Sequence, residues 1–174
     1  MKDPDVQTLV SELRGAFSRL EVLMFDEDYA GILGEGCSSA QIDEASRALG
    51  RALPPSYQAF LEMHDGWTDF IGEAPLLAVE DRRGDVFKRR VKEIGDHLRS
   101  FGDHDFVPHA FFLLAHPDVS TVLYLDKEKP TEGGELELVE YSLRENELGR
   151  YSSFAEYLKG RLKVTQRLIA REEG

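Results

Sequence analysis

Apolar residues recur at helical spacing near the start of the chain, where Val6, Leu9, Val10, Leu13, Phe17 and Leu20 trace one stripe. Asp3 followed by Pro4 reads as the N-cap and first helical position of that element. Residues 25–37 break the stripe with acids and with Gly31, Gly34 and Gly36, a loop composition. Ser38 with Gln41 forms a capping-box pattern, Ile42, Ala45 and Leu49 resume the helical period, and Gly50 supplies a stop, so a second helix is predicted over 39–49. Pro54 and Pro55 then suit the first turn of a third helix, whose face is Tyr57, Phe60, Leu61 and His64 and whose end is read at Asp65-Gly66.

Residues 74–85 read as a turn-rich connection, and Phe87, Val91, Ile94, Leu98 and Phe101 mark a fourth helix with a basic outer face at Lys88, Arg89, Arg90 and Lys92. Pairing of that face with Asp85 and Glu93 is the expected fate of a basic helix surface. After a loop at 102–109 the period changes. Residues 110–115, 121–125 and 135–141 are strand-like, with turn compositions between them, and a short strand is expected near 147–151. Ser153 and Glu156 form a second capping-box pattern ahead of a closing helix carried by Phe154, Tyr157, Leu158, Leu162 and Ile169. Helices first, an antiparallel and curved sheet next, and a terminal helix define an α+β fold. A chain of 174 residues fits one such domain, here residues 1–174, and buries roughly 70% of its unfolded surface without metal or disulfide.

Charge changes this picture by its location. Of the net charge of -12, residues 21–81 carry -11, from thirteen acids against Arg47 and Arg51. A field of that sign repels nucleic acid and anionic membranes and steers a basic partner inward, although an acidic excess also serves solubility. No apolar run reaches the roughly 20 residues of a membrane span, the N-terminus lacks the apolar core of a secretion signal, and the single cysteine suits a reducing compartment, so a cytoplasmic location is expected.

Chemistry-bearing motifs are sparse. Neither GxGxxG nor GxxxxGK[ST] occurs, and the nearest glycine cluster, residues 31–36, carries Glu35, whose charge opposes phosphate. His97, His104, His109 and His116, with Asp96, Asp103 and Asp105 nearby, lack metal-ligand spacing and read as solvated loop residues. Cys37 has no flanking base to activate it. The reading therefore assigns no catalytic residue, no cofactor and no metal. Trp67, the only tryptophan, directly follows the third helix between Asp65 and Asp69 and admits two readings: a core anchor, or a partly exposed aromatic in an acidic rim.

Residues 37–67 together with 74–85 resemble the SMI/KNR branch of the SUKH superfamily. The resemblance rests on Leu49, Gly50, Leu53, Pro54, Tyr57, Phe60, Leu61, Gly66, Trp67, Leu76 and Leu77, is densest over 38–77, and thins to residues 122–126 and 152–158 afterwards. Asp65 stands where the family usually has Asn, and Ala45 where a larger residue is frequent. The resemblance implies a non-enzymatic α+β domain that acts through protein contacts. Bacterial members of that family are immunity proteins that neutralise polymorphic or contact-dependent toxins, often nucleases, and fungal relatives are cell-wall regulators. On that basis a basic toxin domain is the expected partner, met by an acidic surface of Glu62, Asp65, Trp67, Asp69 and Glu73. A regulatory or scaffold module with another protein partner is the alternative.

Overall fold

A computed structural model of the chain describes residues 5–103 and 106–174. The expected Asp3–Pro4 helix start, and His104 and Asp105, lie outside the described residues. The first helix, α1 (Val6–Phe25), is capped by the Asp5 carboxylate, which accepts from the Thr8 amide at 2.8 Å. It also runs past the expected loop boundary, ending at Asp26 with φ 57°. Helix α2 (Ser39–Leu49) forms with the capping box read from Ser38 and Gln41, and stops at Gly50 in the left-handed conformation.

Helix α3 (Pro55–Met63) starts at the proline pair as expected but does not end on Asp65-Gly66. Its cap is His64 in an extended conformation, and the positive φ of Gly66 (88°) instead turns the chain into a strand. That strand, β1 (Trp67–Ile71), pairs antiparallel with β2 (Ala74–Leu76), a hairpin the sequence pattern did not announce. The cause is local. Asp69 sits at φ 50°, the register shifts between Trp67 and Ile71, and the alternation that marks a strand is lost.

A 3-10 turn at Glu80–Arg83 leads to α4 (Asp85–Ser100) and the single turn α5 (Phe106–His109). Phe101, expected on the apolar face of α4, caps the helix instead and is exposed. Four strands follow as an antiparallel meander in the order β3 (Ala110–Ala115), β4 (Thr121–Pro130), β5 (Leu136–Ser142) and β6 (Asn146–Tyr151). Helix α6 (Phe154–Glu173), capped by Ser153, closes the fold.

This four-stranded sheet is covered on both faces. Phe111, Leu114, Leu123, Leu125 and Leu138 pack with residues of α1, α2, α3 and α6, whereas Phe112, Val122, Tyr124 and Val139 pack with Ile94 and Leu98 of α4. A bulge between Phe112 and Leu114 places Leu113 and Leu114 in the same cluster. Burial on both faces explains why residues 110–115 read as a continuous apolar run rather than an alternating one. Tyr57 and Phe60 of α3 meet Phe154 of α6 at ring separations of 5.5 and 5.3 Å, joining the start of α6 to the middle of the signature stretch.

Leu61 has no solvent exposure at the centre of this cluster. Leu61→Ala is expected to cost about 2–5 kcal/mol, read as a lower urea midpoint with an unchanged denaturant slope.

Candidate functional site

Much of the acid-rich third of the chain is held together by backbone bonds. Residues 32–37 run beside the end of α3 and the start of β1, with Cys37 N–H donating to Leu61 O (2.7 Å), Asp65 N–H to Glu35 O (2.8 Å), Gly34 N–H to Gly66 O (3.2 Å) and Thr68 N–H to Ile32 O (2.9 Å). This approach explains the glycine cluster. A Cβ on Gly31 or Gly34 would lie 2.0 or 2.2 Å from the carbonyl oxygens of Thr68 and Asp65, far inside any tolerated contact. The glycines therefore serve close packing of two backbones.

Asp65 occupies the junction. One carboxylate oxygen accepts from the Val79 amide at 2.7 Å, and the other from Gln41 Nε2 at 3.2 Å, while Gln41 Oε1 accepts from the capped Ser38 amide at 2.8 Å. A single half-buried side chain thus joins the exit of β2 to the α2 capping box. The Asp65 carboxylate is satisfied on both oxygens.

Trp67 resolves to the core-anchor reading. It is 1% exposed, its indole N–H donates to Ala30 O at 2.8 Å, and its ring lies 5.5 and 5.2 Å from those of Phe17 and Phe70. A buried ring has no surface to offer a partner, so the expectation that Trp67 is itself a contact is corrected. Its part is to fix the course of β1 and of the loop.

The other expected contacts divide. Asp69 accepts from Tyr29 Oη at 2.6 Å and borders a cleft of about 360 Å³ between α1, α6 and residues 29–31. Glu73 is exposed beside the hairpin turn, and Glu62 is exposed on α3, accepting from Gln58 Nε2 at 2.8 Å. Glu62 and Glu73 are exposed, Asp69 is half-buried with its carboxylate bonded to Tyr29, and Asp65 is chiefly structural. Glu35, which lies between two loop glycines, is brought beside the end of α3 by the backbone bonds above.

Arg82 escaped the sequence reading. Its guanidinium lies 4.3 Å over the Phe111 ring and donates to Phe112 O (2.6 Å) and Tyr57 Oη (3.3 Å), so it ties the 3-10 turn to β3 and α3. Burial raises the pKa of the Tyr57 phenol above its ordinary value despite that neighbour. The basic face of α4 is only partly free. Arg90 turns inward to donate to Val119 O at 2.9 Å and pairs with Glu93, and Lys92 pairs with Asp96. His97 bonds Leu143 O, His109 pairs with Glu128 and His116 with Asp118, and among the described residues no three metal-ligating side chains converge.

Against known proteins, the model of the SMI1/KNR4 family (SUKH-1) matches residues 36–160, most of the chain. No curated protein matches it. Among the described residues no helix is long and apolar enough to cross a membrane.

Two measurements probe this site. Emission from Trp67 is expected to be blue-shifted and poorly quenched by acrylamide in the native protein, and Trp67→Phe to cost at least about 1 kcal/mol through the lost bond to Ala30 O. Burial, reinforced by Asp65, pushes the Cys37 thiol from its ordinary 9.0 up to about 12. The protonated thiol is favoured by the fold, so its contribution is complete below pH 9.0 and is lost as pH rises through about 12. Alkylation of native Cys37 should therefore stay slow at pH 9 and reach the rate of an ordinary thiol only in denaturant.

Proposed function

The chain belongs to the SMI1/KNR4 (SUKH-1) family, and from that premise we propose that it is an immunity-type protein that binds and neutralises a basic toxin domain. The family membership is consistent with an immunity or a regulatory protein-binding role. The observation that carries the sharper reading is the acidic tract. Of the thirteen acids in residues 21–81, Glu35 is held beside Asp65 and the end of α3, which carries Glu62, by the backbone bonds at 32–37, and Tyr29 ties the loop to Asp69.

A toxin that acts on nucleic acid presents a basic cleft to its substrate. An inhibitor with the opposite field exploits the same attraction, gaining fast association and competing with the phosphate backbone. Glu62, Asp69 and Glu73 are the contacts in this reading, while Asp65 and Trp67 hold them in place. No step of bond making or breaking is assigned to the chain. Exposed carboxylates suit this role because they keep their solvation until the partner arrives.

Affinity capture with the tagged chain at low and high salt, followed by mass spectrometry, tests the proposal. A basic polypeptide retained at low salt, and whose toxicity is abolished by co-expression of the chain, is the expected result. Recovery of envelope or cytoskeletal proteins alone supports the regulatory role in its place. With the captured domain in hand, Glu62→Lys combined with Glu73→Lys should slow association about tenfold and flatten its salt dependence. Unchanged rates would place the interface elsewhere.

A further inference from the structure

The end of α1 does something no fold requires. Val22, Leu23, Met24 and Phe25 are consecutive and between 39% and 60% exposed, and Tyr29 and Ile32 of the following loop are also exposed. At roughly 100° per residue, four successive helical positions sweep most of the way around the axis, so no single neighbour in the fold could cover them all. Exposed apolar runs of this length are a liability unless something binds them. They also lie before residue 36, outside the segment matched by the family model, so the common framework does not account for them.

Beside this run opens the 360 Å³ cleft, whose apolar walls include Leu20, Phe70, Val164 and Leu168. Its rim is acidic. Glu21 and Asp69 line it, Asp26, Glu27 and Asp28 follow the helix directly, and among the described ion pairs none engages any of these five carboxylates. Asp28 and Asp69 instead accept from the hydroxyls of Ser18 and Tyr29. Among the described residues of its lining, the one base is Arg161.

We infer that the C-terminal turn of α1, the loop to Ile32 and the adjoining cleft form a docking surface for a basic protein segment that inserts a large apolar side chain between Lys or Arg residues. The inference rests on the toxin-binding reading and extends its surface away from Glu62. Charge complementarity selects the occupant. A second copy of this chain, or an anionic lipid surface, would bring like charges onto the five carboxylates, whereas a Lys- or Arg-flanked anchor neutralises them as it fills the apolar floor. An aromatic or large aliphatic anchor surrounded by charge is the usual composition of an energetically dominant contact.

The test uses the full chain and short fluorescein-labelled peptides read by anisotropy: one rich in Lys and Arg with a central Trp-Leu pair, one with Ala-Ala at the centre, and one with Glu for every base. The first is expected to bind, the Ala-Ala peptide at least about tenfold more weakly, and the acidic peptide not at all. Met24→Glu with Phe25→Glu should weaken the first peptide about tenfold or more while leaving the thermal midpoint unchanged, because both side chains are solvated.

Equal binding of the first two peptides, or no binding of the first at about 1 mM, overturns the inference. So does a chain that sediments as a dimer and becomes a monomer in the M24E/F25E variant, which would make a second copy the occupant. Failure here and failure of the toxin reading are separable. A captured toxin domain that ignores M24E/F25E but is lost by E62K/E73K leaves the reading standing and removes this surface. Patch-dependent peptide binding by a chain that captures no basic protein does the reverse.

Discussion

Everything in the acid-rich third depends on two backbones approaching one another where the side chains repel. Residues 32–37 and 61–68 carry almost no base between them, yet four main-chain bonds at 2.7–3.2 Å hold them side by side. Short-range terms decide the outcome. The main-chain hydrogen bonds, together with the packing of Trp67 under Ala30, act at contact distance, while the exposed carboxylates repel through water and are screened within about 8–10 Å. Glycine makes the contact possible by its missing Cβ.

On the proposed reading the same arrangement separates what supports from what would touch a partner. Asp65 spends both oxygens on the framework, Arg82 spends its guanidinium on β3 and α3, and Trp67 is enclosed. Glu62, Asp69 and Glu73 project from elements that those residues fix, so their charges can be exchanged without dismantling the core. A family of binders benefits from that division, because partner choice changes at the surface while the interior stays constant.

Much of this was legible in the sequence wherever one residue type carries one mechanism. Ser38 and Gln41 gave the start of α2, Gly50 its end, and the paired prolines the start of α3, since caps and ring constraints act locally. The β1–β2 hairpin was not legible, because its alternation is interrupted by Asp69 in the left-handed region and its second strand holds a proline. Gly66 looked like a helix stop for the same reason that it makes a good strand entry: both need positive φ. Trp67 had two readings because burial is settled by Phe17 and Ala30, far away in the chain. The course of α1 through Val22–Phe25 carried no stop signal at all, and exposure there is a tertiary fact.

The pairing of α1 with α6 has a kinetic side. The meander β3 to β6 joins only neighbours in sequence and can form as it emerges, but the stripe of α1 that carries Leu9 and Leu13, partly covered by α3 and β1, completes its cover only with α6, as does the pair of Arg19 with Glu173. During synthesis α1 is made before the whole sheet, and part of its apolar face stays exposed until α6 follows. Chaperone dependence of the nascent chain would therefore be set less by the sheet than by how long α1 waits for its partner.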